Sequence, residues 1–133
     1  MGADADSILD TVKKMLGVDL VDDSFDMELI IFINDVFSKL NQLAVGPTTT
    51  YVIDDRLDKW TDFLLDRADL NMVRTYMYLQ VRITFDPPTN PSLLENMMKR
   101  IQEYEWRLNV QAEQALKAVQ AKIPIELEPE PIP

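Results

Sequence analysis

Apolar residues recur at helical spacing through most of this chain, and the interruptions between them mark where helices begin and end. Ser7 followed by Asp10 resembles a capping box with Asp in place of the usual Glu, and Ile8, Val12, Met15 and Leu16 then recur on one face. Gly17 supplies a left-handed stop. A second start lies at Asp22-Asp23-Ser24, where side-chain oxygens accept from free backbone NH groups and negative charge suits the helix dipole. The helix that follows is predicted to run to about Ala44 with two apolar stripes. One stripe is Ile30, Ile33, Phe37, Leu40 and Ala44; the other is Leu29, Phe32, Val36 and Leu43. Together they exceed one face, which predicts contact with two layers of protein.

Gly46-Pro47 breaks that helix, and Thr48 to Ile53 is the only β-branched run, so the pattern predicts an exposed loop or one short strand. Asp55 to Asp66 reads as a short helix with Trp60, Phe63 and Leu64 on its apolar side. Asp69 caps a further helix, Leu70 to Phe85, whose Met72, Val73, Tyr76, Met77, Leu79, Val81 and Ile83 leave little polar circumference. That is the signature of a buried central helix. Asp86-Pro87-Pro88 stops it, because proline lacks the NH and disfavours helical geometry in the preceding residue. Ser92 and Glu95 form a capping box, and the last helix is predicted to reach about Lys122, roughly 45 Å at 1.5 Å per residue. Leu94, Met97, Ile101, Tyr104 and Leu108, then Ala112, Ala115 and Val119, carry its stripe. From Pro124 the chain is proline, glutamate, isoleucine and leucine only, and such a segment does not fold alone. The expected fold class is all-α. It is a compact bundle of about four helices with a long C-terminal helix and one short loop or strand insertion. Residues 1–123 form one helical domain and 124–133 an extended Pro/Glu-rich tail.

Composition narrows the chemistry. The 133 residues include no Cys and no His. Disulfides, thiolate nucleophiles, imidazole bases and Cys- or His-ligated metals are therefore excluded. The net charge of −10 is uneven: residues 1–69 hold 15 acids and 6 bases, whereas residues 70–110 hold 4 acids and 5 bases. Such acidity argues against a protein that grips nucleic acid or an anionic membrane. No window approaches the roughly 18 apolar residues of a membrane span, and the first residues lack the basic start and apolar run of a signal peptide. A soluble protein made in the cytosol is expected.

An enzyme built from this alphabet would need paired carboxylates or an oxygen-ligand Mg²⁺ or Ca²⁺ site. Asp19, Asp22, Asp23, Asp26 and Glu28 crowd one junction, but their spacing does not match an EF-hand, and a capped, solvated helix start accounts for them. Asp54, Asp58, Asp62 and Asp66 recur at steps of four, which on a helix stacks them along one face. Like charges at that spacing cost a few tenths of a kcal/mol per pair, so either a solvated face or the wall of an acidic channel is expected there. Arg74, Arg82, Lys99, Arg100 and Arg107 interleave with Tyr76, Tyr78, Tyr104 and Trp106. Their spacing favours aromatics at the core edge, with arginines pairing Glu103, Glu105 or the acids of a neighbouring chain; Arg100, Trp106 and Arg107 are the candidate inter-subunit residues. Ile123, Ile125 and Leu127 alternate with Pro124, Glu126 and Glu128. The alternation gives one apolar edge to an extended peptide able to dock on another protein.

The order of segments resembles the head-tail connector, or head-completion adaptor, proteins of long-tailed bacteriophages. The resemblance runs from about Ser7 to Glu113 and rests on TVKKMLGV (11–18), SFDMELIIFIN (24–34), LNQLAVGP (40–47), WTDFL (60–64), VRTYMYLQVRITFDPPT (73–89) and EYEWRLNVQAE (103–113). It implies a siphovirus-like neck subunit of the virion, made in the host bacterial cytoplasm, without enzymatic activity or cofactor. Such a subunit forms a dodecameric ring below the portal protein, extends the DNA channel, and joins the filled capsid to a stopper or tail-completion protein. DNA would pass through the lumen without specific binding, and no membrane is involved. The same resemblance assigns portal docking to the C-terminal segment, here Ile123, Ile125 and Leu127. Two rival expectations differ in class: a soluble acidic assembly chaperone or regulator not retained in the virion, and a Mg²⁺-dependent carboxylate enzyme using Asp54 or Asp58.

Overall fold

Helix α1, Ile8–Leu16, starts and stops where its sequence predicts. Ser7 is extended, its Oγ accepts from the Asp10 NH at 3.3 Å, and Gly17 takes φ 78° so that its NH and that of Val18 close on the carbonyls of Lys14 and Lys13. The computed structural model describes residues 6–64 and 67–122. Within them, α1 is followed by α2 (Asp26–Gln42), α3 (Trp60–Phe63), α4 (Arg67–Phe85) and α5 (Pro91–Lys122). The fold is all-α, and the one β pairing found among the described residues is an isolated bridge between Ser7 and Lys59. No helix among them is long and apolar enough to cross a membrane. The tail from 124 onward lies outside the described residues.

The central position predicted for the Leu70 to Phe85 segment is what α4 occupies. It packs against α1, α2 and α5, and Val73, Tyr76, Met77, Leu79 and Val81 are almost wholly buried. Across from it, α2 contributes Leu29, Ile33, Val36, Phe37 and Leu40 to the core, while Ile30, Phe32 and Leu43 are half-buried. Both stripes are thus used, although Ala44 is not part of the core. It adopts φ 64°, donates to the Asn41 carbonyl at 3.0 Å, and lets Val45 donate to the Leu40 carbonyl at 2.9 Å. This left-handed closure ends α2 two residues ahead of Gly46.

Several expectations change, among them the start of α2, where Phe25 takes the cap position with no side-chain bond, and that of α4, which begins at Arg67 and so takes Asp69 inside it. The Asp55 to Asp66 helix shrinks to Trp60–Phe63, because Asp55 to Leu57 form a turn held from within: the Asp58 carboxylate accepts from the Asp54 NH at 2.7 Å and the Asp55 NH at 3.3 Å. A short polar side chain that captures nearby backbone NH groups competes directly with helix formation. Thr48 to Ile53 forms no strand. Asn34 on α2 holds it instead, accepting from the Ile53 NH at 2.7 Å and donating to the Ile53 carbonyl at 3.1 Å, so one amide side chain stands in for a ladder partner. Finally, α5 is capped by Asn90 rather than Ser92. The Asn90 Oδ1 accepts from the Ser92 and Leu93 NH groups at 2.9 and 3.3 Å, leaving Pro91 at the first helical position, where its missing NH costs nothing.

The loop between α2 and α3 is anchored by aromatics. Tyr51 meets Phe37 edge-on at 5.1 Å and Phe63 at 5.4 Å, and its hydroxyl donates to the Lys59 carbonyl at 3.4 Å. Burial, reinforced by Asp58, Asp62 and Asp6, pushes the Tyr51 phenol up to about 12 from 10.0. Folding therefore favours the protonated phenol. Its contribution is complete below pH 10 and disappears as pH rises through about 12, since the unfolded chain loses this proton first. Urea midpoints measured from pH 8 to pH 12 should fall more steeply for the wild type than for Tyr51→Phe above pH 10; parallel curves would remove Tyr51 from the alkaline transition.

Candidate assembly surfaces

Helix α5 turns Met97, Ile101 and Leu108 into the core, with Tyr104 and Ala112 beside them. At 100° per residue its outward side carries Lys99, Glu103, Trp106, Val110 and Lys117 in steps of three, four and seven, flanked by Arg100 and Arg107. Trp106 is 68% exposed, although an indole of that size normally gains more from burial than any other side chain on this helix. The three residues named as inter-subunit candidates, Arg100, Trp106 and Arg107, are all exposed on this side. Two ion pairs lie along it, Lys99 to Glu95 at 3.4 Å and Arg107 to Glu103 at 3.7 Å. Exposed pairs one helical turn apart contribute only about 0.3–0.5 kcal/mol, so both arginine and lysine heads remain free to exchange partners.

Glu105 is engaged elsewhere. It accepts from the Tyr76 hydroxyl at 2.8 Å, and that oxygen in turn accepts from the Gln80 amide at 3.0 Å. Burial and this carboxylate together raise the Tyr76 phenol far above its ordinary value. The interleaved aromatics thus divide: Tyr76 is core, Tyr78 and Tyr104 sit at its edge, and Trp106 stands in solvent. Arg82 reaches Tyr78 at 2.9 Å, and the Arg74 guanidinium lies over the Trp60 ring at 5.7 Å.

The second surface is the loop before α3. Val52 and Leu57 are 56% and 72% exposed, with Asp54, Asp55 and Asp62 exposed around them. The stacked ridge expected of Asp54, Asp58, Asp62 and Asp66 does not form, because the first two lie on a turn and Asp58 is spent on backbone NH groups; Asp66 lies outside the described residues. What replaces the ridge is a rigid knob. The Asp55 Oδ1 accepts from the Leu57 NH at 2.8 Å, the Arg56 carbonyl accepts from the Ser7 hydroxyl at 2.6 Å, and the Asp58 carbonyl accepts from the Ile8 NH at 3.1 Å. Arg56 also pairs with buried Asp10 at 3.0 Å, while its own side chain stays about half exposed.

The N-terminal acids have similarly local duties. Asp19 accepts from the Val21 NH, and Asp22 accepts from both the NH and the hydroxyl of Ser24, which lowers its pKa. Asp26 pairs with Lys13 at 2.8 Å. No group of three or more carboxylates among the described residues is placed to hold a metal ion. A shallow groove of about 210 Å³ separates the Ala44 to Gly46 segment from Leu108, Ala112 and Ala115 of α5. Ile123, Ile125 and Leu127 lie outside the described residues.

The profile of the family described as phage connector protein matches residues 8–115, from the first residue of α1 into the last third of α5. The chain belongs to the phage connector protein family. No curated protein and no solved structure matches it. Membership points to a structural role in the phage neck rather than to catalysis, and to contact with the other parts of the particle. The matched span takes in the whole hydrophobic core found among the described residues, along with Leu57 and Trp106.

Two structural residues were missed by periodicity. Lys13 is only 1% exposed and holds the connection between α1 and α2, and Asn34 is half-buried and holds the loop before the knob at Ile53. A signal was present for the first: Lys13 lies four residues after Leu9, within the buried side of α1, where an unpaired charge has no place.

Proposed function

We propose that this connector is a structural neck protein that assembles as a ring below the portal, extends the DNA channel, and joins the filled capsid to the stopper or tail. The observation that carries the proposal is the family match over residues 8–115 together with exposed apolar side chains set among charges on a closed helical body. A subunit whose core is complete on its own, yet which leaves Trp106 and Leu57 in water, has surface to bury against neighbours. Acidity overall is consistent with a protein that surrounds DNA without holding it.

Purified connector mixed with the portal of its own phage should give stacked rings by electron microscopy, and antibody against it should label the neck of purified virions. Separate particles with no added density would refute ring assembly on the portal. Absence from virions combined with a requirement for the protein during assembly would favour the chaperone reading.

A further inference from the structure

Trp106 and Leu57 are exposed on two different elements, α5 and the loop before α3. On α4, Arg74 reaches Trp60 next to the loop, whereas Tyr76, two residues on and about 200° around the helix, reaches Glu105 of α5. The knob is bound to α1 and α2, whereas Trp106 is carried by α5, which packs on α4. Two different surfaces are what a head-to-tail contact between identical subunits requires, because such a ring joins one patch of each copy to another patch of the next. Their chemistry is complementary. The α5 face presents Lys99, Arg100, Arg107 and Lys117 with Glu95, Glu103 and Glu113 around an exposed indole, a small basic excess, while the knob presents Asp54 and Asp55, with Arg56 drawn to Asp10, beside exposed Val52 and Leu57.

We propose that the Val52 to Leu57 knob of one copy seats on the Trp106 face of α5 in the next copy, with Asp54 and its acidic neighbours opposite Arg100 and Arg107. This rests on the ring reading above and adds to it the partner surface that the inter-subunit residues meet. Trp106 is the anchor, since indole and guanidinium groups dominate interface energies once water is excluded around them. The acids of the knob opposite Arg100 and Arg107 fix which surface meets which.

Because the chain contains no cysteine, disulfide trapping gives an unambiguous test in the full-length protein. Leu57→Cys and Trp106→Cys variants, mixed and assembled on the portal under mild oxidation, should form a disulfide only between the two different variants. A charge swap supplies an independent reading. Asp54→Lys and Arg107→Glu should each raise the concentration needed for half-assembly at least about tenfold, and the double variant should recover most of that loss. Rings that assemble normally but yield no mixed disulfide, or that yield Trp106→Cys homodimers, overturn the proposed pairing and leave the ring reading standing. Wild-type protein that forms no ring defeats both. Intact rings from Arg107→Glu that have lost an affinity for duplex DNA shown by wild-type rings would assign this face to the lumen and also overturn the pairing.

Discussion

Replacing Lys13 with Met should lower stability by about 3 kcal/mol, making it one of the two most damaging single substitutions expected here. The ammonium is enclosed: Nζ donates to the Leu20 carbonyl at 3.1 Å, the Asp22 carbonyl at 2.7 Å and the Asp26 carboxylate at 2.8 Å, so all three of its protons are used. These acceptors belong to the connection between α1 and α2 and to the first turn of α2. One side chain thereby closes the loop and fixes where the second helix enters. Methionine keeps most of the volume but leaves two carbonyls and a partly buried carboxylate without their donor, and each such loss costs about 1–3 kcal/mol before water repays some of it. In thermal denaturation the midpoint should drop by about 10 °C, whereas exposed Lys14→Met should remain within about 0.5 kcal/mol of the wild type. Equal midpoints for the two variants would show that Lys13 is dispensable.

Gly46→Ala should cost a similar amount by a different route. Gly46 sits at φ 87°, and a methyl group added there would lie 2.6 Å from Cζ of Phe63 and closer still to Cε1. Phe63 has little room to yield, since it packs on Phe37 at 4.7 Å and on Tyr51 at 5.4 Å. The left-handed backbone costs an alanine roughly 1–2 kcal/mol and overpacking adds about 1–3 kcal/mol. Gly17→Ala is the natural comparison. It has a similar φ of 78° but nothing within 4 Å of the new methyl, so it should lose the backbone part alone. Chemical denaturation of both variants should show Gly46→Ala as clearly the less stable; equal losses would mean that the aromatic cluster relaxes freely around the methyl.

Helix boundaries set by local chemistry were readable in the sequence. Ser7 and Gly17 bracket α1, Asp86-Pro87-Pro88 separates α4 from α5, and the nearly continuous apolar circumference of α4 places it at the centre. Three of the misses share one physical origin, which is a polar side chain satisfying backbone groups away from a regular element. Asp58 does so for its own turn, Asn34 for Ile53, and Lys13 for the loop after α1. Periodicity counts such residues only as polar. It therefore stacked Asp54, Asp58, Asp62 and Asp66 on a helix that does not form, and it missed the lysine in the core. Spacing sets Trp106 at the core edge, whereas it stands in solvent, and it gives no sign of the knob with Leu57, because a turn held by Asp55 and Asp58 leaves no periodic trace.

From Glu113 to Ala118, helix α5 has no buried side chain. Each of these turns is closed by its own backbone hydrogen bonds with little tertiary support, and an isolated helix of this kind is marginal in water. Opening there is decoupled from global unfolding and costs far less than opening the core. The amides of this stretch are consequently a built-in reporter: exchange with solvent that is fast in the free subunit and slowed in the assembled particle would reveal contact at the C-terminal end of α5 without any label having to be introduced.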